Sequence, residues 1–351
     1  MIEIIDTLEK LDAQKSVWQE LERNPEMRVQ QTFQWMRAGW LYFKSREVGA
    51  KLQIVKWRRE NADEYVYFPF YLDGKRTLRF INDLHCDANN VVCRQDVNLH
   101  YAFLETIEWI KGNPDVRRVH LRQMPSGCEA IEYFAVLARG SIVYRDHGYS
   151  WLDVHKGADV HDYLVHYKKK DRKKFQTLLK RAEDFNYRVY AQRTGDMFPR
   201  DVFGKLCDRM VSSGRRTAQY LDPKIFEFAE EMFNKGLLEV ASLARGEDVG
   251  IAAFRLIKDN RYLCWIVLND DPQLPTLLHA KYIADKASQQ DFIYDFGVGP
   301  YGYKLVTFKP RPAPTFSLCM AKSPWGQLMG VKDMLIRYAK DYLKPIIRKE
   351  H

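Results

Sequence analysis

The densest set of chemically able side chains in the 351-residue chain lies toward its C-terminal end, in YDFGVGPYGYKLVTF, Tyr294 to Phe308. A carboxylate, a phenol and an ammonium fall close together there: Asp295, Tyr303 and Lys304. By residue type Asp295 could accept a proton, Tyr303 could donate one, and Lys304 could face a phosphate or a developing oxyanion. Each also has a structural alternative: Asp295 as the cap of the glycine turn, Tyr303 as a packed aromatic, Lys304 in a local salt bridge. Gly297, Gly299 and Gly302 formally match GxGxxG, but a dinucleotide fingerprint must follow the first strand of a βαβ unit and open a long helix. Pro300 and the β-branched YKLVTF run are poor starts for such a helix, and the acid expected about twenty residues on is replaced by Lys322. The glycines read as a turn.

The elements around that segment follow from periodicity. Three strand-like runs, Leu238 to Ala244, Gly250 to Ile257 and Arg261 to Leu268, are separated by GEDV and KDN turns and predict an antiparallel meander. After NDDPQLP, Thr276 can cap a helix running to about Gln290, and a short strand, Phe292 to Phe296, comes next. A helix joining one strand to a parallel neighbour points its N-terminus at the carboxyl edge of the sheet, where an anionic group can sit. Earlier in the chain, Tyr65 to Leu72 and Arg76 to Asn82 flank Asp73-Gly74 as a hairpin. Helices are expected near Leu99 to Gly112 and Cys128 to Ala138, with a strand at Val116 to Gln123 between them. A last strand near Thr315 to Met320 precedes an amphipathic helix from Trp325 to Leu343.

Composition narrows the class. A hydrophobic fraction of 46% with 29% charge is that of a folded globular protein, and the length suits two domains at about 150 residues each. Six cysteines form no CxxC pair and are expected as free thiols; nine histidines form no HExxH or HxH, and no metal site is expected. The first residues lack a basic n-region and an apolar h-region, and no run approaches the roughly 20 apolar residues of a membrane span, so a cytoplasmic location is the expectation. The net charge of +9 is concentrated: His166 to Arg181, HYKKKDRKKFQTLLKR, holds eight Lys or Arg against Asp171 alone. Leu164, Tyr167, Phe175, Leu178, Leu179 and Ala182 recur there at mostly helical spacing, leaving Lys169, Lys170, Arg172 and Lys173 for an anionic partner or a solvated face. No zinc-finger, RNP or KH signature accompanies the basic stretch, and no GxSxG elbow is present.

DFIYDFGVGPYGYKLVTF resembles the ending of the GNAT-like acyltransferase domain in the FemAB-like and CelD-like groups, which close on Asp-Phe-Gly, a glycine turn, and Tyr-Lys followed by an aromatic. Here those are Asp295, Phe296 and Gly297, then Tyr303, Lys304 and Phe308. The similarity covers about residues 150 to 320 and weakens before them. It implies an α/β (α+β) fold of two GNAT-like domains facing each other across a cleft, each a mixed, mostly antiparallel sheet flanked by helices. The domains are residues 1–148 and 149–322, followed by a C-terminal helix over 323–351. It further implies acyl transfer, acetyl in the first instance, from a thioester to an amine or hydroxyl without a covalent enzyme intermediate, in polysaccharide or envelope biosynthesis. The donor would lie between two splayed strands, with Val267, Leu268, Thr276, Gly297 and Gly299 around it and Asp295, Tyr303 and Lys304 as the reacting groups. The family's diphosphate loop, Arg/Gln-xx-Gly-x-Gly/Ala, is replaced by NDDPQLPT, where Asp270 and Asp271 oppose a diphosphate. The donor is therefore acyl-CoA, an acyl carrier protein, or an aminoacyl-tRNA as in FemAB-like enzymes; a non-catalytic scaffold is the remaining alternative.

Overall fold

The computed structural model describes residues 1–339 apart from 61–62, 82, 84, 218–220, 270, 300–301, 323–326, 329 and 337. The chain divides into two units, Met1–His147 with Ala313–His351, and Gly148–Pro312.

The first unit runs β1 (Ile2–Ile5), α1 (Leu8–Asp12), α2 (Lys15–Leu21), α3 (Phe33–Gly39), β2 (Lys51–Leu52), β3 (Ile54–Arg58), β4 (Tyr65–Phe68), β5 (Phe70–Leu72), β6 (Thr77–Phe80), β7 (Val92–Cys93), α4 (Leu99–Gly112), β8 (Arg118–Pro125), α5 (Glu129–Leu137) and the start of β9 (Ile142–Val154). The hairpin expected on Asp73-Gly74 forms between β5 and β6, with Leu72 opposite Leu78. Pro69, with no N–H to give a ladder, divides the run expected as one strand. β4 therefore joins a four-stranded sheet in the order β1-β3-β4-β7, while β5 stays with β6. Asn98 caps α4 by accepting the His100 N–H. That helix crosses over to β8, which pairs in parallel with β6. Phe68, Phe70, Phe80, Phe103 and Phe134 form the centre of this unit's core.

The second unit begins with β9 from Gly148 and continues α6 (Val160–Tyr163), α7 (Lys169–Ala182), β10 (Asn186–Ala191), α8 (Arg200–Ser212), α9 (Pro223–Asn234), β11 (Leu238–Arg245), β12 (Asp248–Lys258), β13 (Arg261–Asn269), α10 (Leu274–Ala287), β14 (Phe292–Val298) and a π-helical turn, Lys304–Phe308. Its strands lie in the order β10-β11-β12-β13-β14-β9. All of these pairs are antiparallel except β13 with β14. The expected meander is β11 to β13. Asp222 caps α9 with Pro223 in its first turn, and Gly236 at φ 72° ends it, its N–H reaching Phe233 O while Leu237 N–H reaches Met232 O. The last strand, β15 (Arg311–Ala321), pairs from Thr315 onward with β8 of the first unit's fold.

Two local expectations change. Leu164 and Tyr167 do not belong to the basic helix: the backbone breaks after α6, and α7 starts at Lys169 with Phe175 and Ala182 on its buried side. Nor does Thr276 cap α10. That helix opens at Leu274 after Gln273, and the Thr276 hydroxyl donates to Gln273 O one turn back. Of the expected C-terminal helix, 327–328, 330–336 and 338–339 are helical, and its remaining residues lie outside those described. No helix among the described residues is long and apolar enough to cross a membrane. All six cysteines are free thiols, five buried and Cys128 partly so.

Candidate active site

Among the described residues, β13 and β14 are the only parallel neighbours in the second unit's sheet, and they pair at Arg261↔Ile293, Tyr262↔Tyr294 and Leu263↔Asp295. Both strands continue past that point, to Asn269 and Val298, without a ladder between them. Beyond Leu263, the edge of β13 that faced its neighbour is not engaged by β14. Val267 and Leu268 lie on this unpaired stretch, Leu268 buried and Val267 partly so.

Asp295 sits where the ladder stops. Its carboxylate accepts the Gly297 N–H at 2.9 Å and the Arg261 guanidinium at 3.1 Å, and it is 1% exposed. Gly297 at φ 68° and Gly299 at φ 109° then turn the chain through conformations that disfavour a side chain, and Gly299 N–H reaches Gly148 O. The register with β9 shifts between Asp295 and Val298, which marks a bulge. Lys304 is buried and its ammonium donates to Phe296 O at 2.6 Å, tying the π-helical turn back to β14. Tyr303 is partly exposed and stacks on His279, ring centroids 5.8 Å apart at 19°. Asp295, Gly297, Tyr303 and Lys304 are thus brought to one place, with Asp295 and Lys304 turned inward and Tyr303 at the surface of the cluster.

His279, on α10, gave no signal in the sequence beyond being one histidine on an apolar helix face. It lies among Tyr294, Phe296, Tyr303 and Phe308. Its Nδ1 is 2.5 Å from the Tyr294 hydroxyl and 3.4 Å from the Arg255 guanidinium. Arginine only donates, so Nδ1 accepts and the ring hydrogen belongs on Nε2. Burial, with the Arg255 and Lys304 charges behind it, holds His279 well below its ordinary range and therefore neutral. Arg255 is fully buried on β12. It meets the Cys264 thiol at 3.3 Å and the faces of Tyr282 and Tyr294 at 4.9 and 5.6 Å, with no carboxylate in ion-pair distance among the described residues. Glu239 is compensated differently: Lys286 and Arg193 each approach it at 3.1 Å, and the Tyr282 hydroxyl donates to it.

The donor end of the site differs from a diphosphate cradle. At the start of α10 the Asp271 carboxylate takes the Gln273 N–H at 2.8 Å, so a negative charge already occupies the first turn. Asp270 lies outside the described residues. Arg181, in the last turn of α7, donates to the Gln273 side chain at 2.7 Å. On α7, Lys169, Lys170 and Lys173 are exposed and Arg172 is half-buried, whereas Asp171 points inward to Lys309 at 2.7 Å. That hydrogen bond holds the Asp171 carboxyl below the usual carboxylate range. The Tyr167 hydroxyl donates to Phe308 O, and Phe175 packs edge-on against the Phe308 ring, so α7 grips the turn that carries Tyr303 and Lys304.

Among the described residues one metal-like grouping occurs, in the first unit: ligand atoms of His120, Cys319 and Asp333 lie within 4.8 Å of one another. The Arg118 guanidinium already bridges Cys319 and Asp333, and the Tyr144 hydroxyl meets His120 Nε2 at 2.9 Å. A cation is thus in place among the three, and the donor set suits a hydrogen-bonded cluster better than a metal.

No protein-family model matches the sequence, and no functionally curated protein does. Solved structures do match in shape over nearly the whole chain. A putative lysylphosphatidylglycerol synthetase C-terminal domain from Agrobacterium fabrum is 11% identical with a TM-score of 0.58, covering 95% of this chain and 97% of that one. A tandem GNAT protein from the clavulanic acid biosynthesis pathway is 13% identical with a TM-score of 0.53, covering 92% and 99%. FemX is 11% identical with a TM-score of 0.54, covering 94% and 100%. With a mostly antiparallel sheet, a parallel pair joined through α10 and helices flanking it, the chain has the tandem GNAT-like fold.

Proposed function

We propose that the protein is a GNAT-like N- or O-acyltransferase that moves an acyl group, acetyl in the first instance, from a thioester donor to an amine or hydroxyl. The observation that carries this reading is the ladder between β13 and β14, which stops at Leu263 and Asp295 while both strands run on. A thioester arm laid along the unpaired edge of β13 would find backbone N–H groups to polarise its carbonyl. The acceptor then attacks the carbonyl carbon and gives its proton to solvent, the C–S bond breaks, and the leaving thiolate takes up a proton that solvent replaces on the donor. Tyr303, partly exposed beside the turn, supports a role as the proton donor to that thiolate. Asp295, which holds the Gly297 N–H and the Arg261 guanidinium, and Lys304, held on Phe296 O, support positioning roles: they fix the end of β14 and the pitch of the turn. The resemblance to CelD-like proteins extends the proposal to acceptors of polysaccharide or envelope biosynthesis.

The test is direct. Purified protein is incubated with acetyl-CoA or an acetylated carrier protein and a panel of amines and sugar hydroxyls, and thiol release is followed. Release with at least one acceptor is expected, and none with any donor would sink the proposal. A Lys304→Ala variant that folds and keeps full activity in a cell lacking the native protein would favour a scaffold instead.

Aminoacyl transfer from tRNA is the second reading, favoured by the missing diphosphate loop and the basic α7. It predicts tRNA binding that weakens steeply with salt.

A further inference from the structure

The most unusual surface of the second unit is α7. Lys168, Lys169, Lys170, Lys173, Lys174, Lys180 and Arg181 are exposed along it. No carboxylate lies within ion-pair distance of any of them among the described residues, whereas cations elsewhere in the chain often have one, such as Arg188 with Asp196 or Arg209 with Asp248. The helix's single acid between Lys168 and Arg181, Asp171, is spent inward on Lys309. A 14-residue helix is about 21 Å long, so these charges form a strip rather than a spot.

Exposed apolar side chains occur on the segments that flank and pack against this helix. Val165, just ahead of α7, is 55% exposed, and Leu305 and Val306, on the π-helical turn packed against α7, are 37% and 66% exposed. Apolar anchors within a charged surface are the make-up of a protein docking site. A single-stranded RNA end would need exposed aromatic faces for its bases. Among the described residues of this unit the exposed large apolar side chains are aliphatic or methionine.

The two ends of the strip meet the two ends of the candidate site. At one end Asp171 and Tyr167 hold the turn bearing Tyr303 and Lys304; at the other Arg181 touches Gln273, beside the start of α10. That start carries the Asp271 charge where a free cofactor's diphosphate would need a cradle. A carrier-bound thioester needs no such cradle at that point, because its protein supplies the grip.

We infer that the lysine face of α7, with Val165, Leu305 and Val306, is the docking surface for a small acidic protein that presents the thioester on a flexible arm. This rests on the acyltransfer reading above. The experiment uses the full chain with a bacterial acyl carrier protein in its acetylated holo form, acetyl-CoA and bulk tRNA as probes. Binding is read by fluorescence anisotropy at low and high salt, and thiol release is read in parallel. Wild type is expected to bind the carrier protein, about tenfold more weakly when salt rises from low to physiological or above. Lys169→Glu/Lys170→Glu/Lys173→Glu is expected to weaken carrier binding at least about tenfold, and Val306→Asp several-fold. The milder Lys→Gln triple serves if the reversal fails to fold. Lys10→Glu, on the first unit, is the control and leaves binding unchanged.

No carrier binding at low salt, or carrier binding that the α7 variants leave intact, overturns the inference. Binding of tRNA but not carrier, lost in the same variants, overturns it in favour of RNA. If acetyl-CoA is consumed while carrier binding is absent, the docking inference alone fails. If the carrier binds at α7 and no donor is turned over, the acyltransfer reading fails, and with it the delivery role that the inference gives this surface.

Discussion

The two units bury similar sets of side chains and neutralise them differently. In the first, His120 meets the Tyr144 hydroxyl, with Arg79, Arg118 and Cys319 around it. In the second, His279 meets the Tyr294 hydroxyl, with Arg255 and Cys264 around it. The guanidiniums separate the two. Arg79 lies on Asp73 and Asp83 at 3.0 and 3.2 Å, and Arg118 lies on Asp333. Arg255 has sulfur, a ring nitrogen and aromatic faces instead. The first cluster is closed by charge, as a purely structural network is expected to be. The second buries Arg255 with no carboxylate in ion-pair distance among the described residues, Glu239 being its neighbour across the β11–β12 ladder but engaged by Lys286 and Arg193, and it does so close to the point where β13 and β14 part.

The largest effect that tests this contrast is Arg79→Met. It strands Asp83, which is 2% exposed, and should cost about 3 kcal/mol or more in a urea denaturation midpoint. A loss under about 1 kcal/mol would mean that Lys44, 3.8 Å from Asp83, already compensates it. Tyr303→Phe comes next. Turnover of a thioester donor should fall about 100-fold with the melting temperature unchanged, while Tyr144→Phe in the first unit leaves turnover intact. Equal losses in both would remove the functional distinction between the clusters.

A pH prediction is smaller. Burial, reinforced by Arg79, Arg118 and Arg122, pushes His120 down to about 2, and burial with Lys44 pushes His85 down to about 4. Free histidine titrates near 6.5, so below that the unfolded chain binds protons that the folded chain refuses. Stability is therefore full above about pH 6.5 and declines as pH falls toward 4 and beyond. His120→Gln should flatten the urea midpoint between pH 7 and 5; an unaltered slope would show a charged His120 in the folded state. The smallest effect is expected for Arg255→Met. With no acid left behind, stability should stay within about 1 kcal/mol or rise. A large loss would show that the rings and thiol already satisfy that charge.

Much of the scaffold was legible because its signals are local. Alternation marked the β11 to β13 meander, and the periodic run from Leu99 to Gly112 became α4 to the residue. The segment bearing Asp295, Tyr303 and Lys304 was legible as one cluster for the same reason: turn and reactive side chains are contiguous. What stayed hidden depends on partners distant in sequence. Thr276 looked like a cap because nothing nearby revealed that Asp271 would reach the Gln273 N–H. Leu164 and Tyr167 matched a helical period that the chain does not continue, since Tyr167 turns aside to Phe308 O. Arg255 and His279 carry no functional signal in their own windows; only the packing of β12, β14 and α10 brings them together in the interior. Asp171 looked like a lone acid among lysines, and Lys309, 138 positions away, is what turns it inward.

The thiols offer an experimental opening. With five cysteines enclosed and Cys128 only partly accessible, maleimide chemistry on the native chain should be nearly silent. A cysteine introduced at Lys173 would then carry a fluorophore or spin label as almost the sole reactive position. Encounters on α7 and the setting of the Tyr303 turn could be followed from that one label, in solution and in real time.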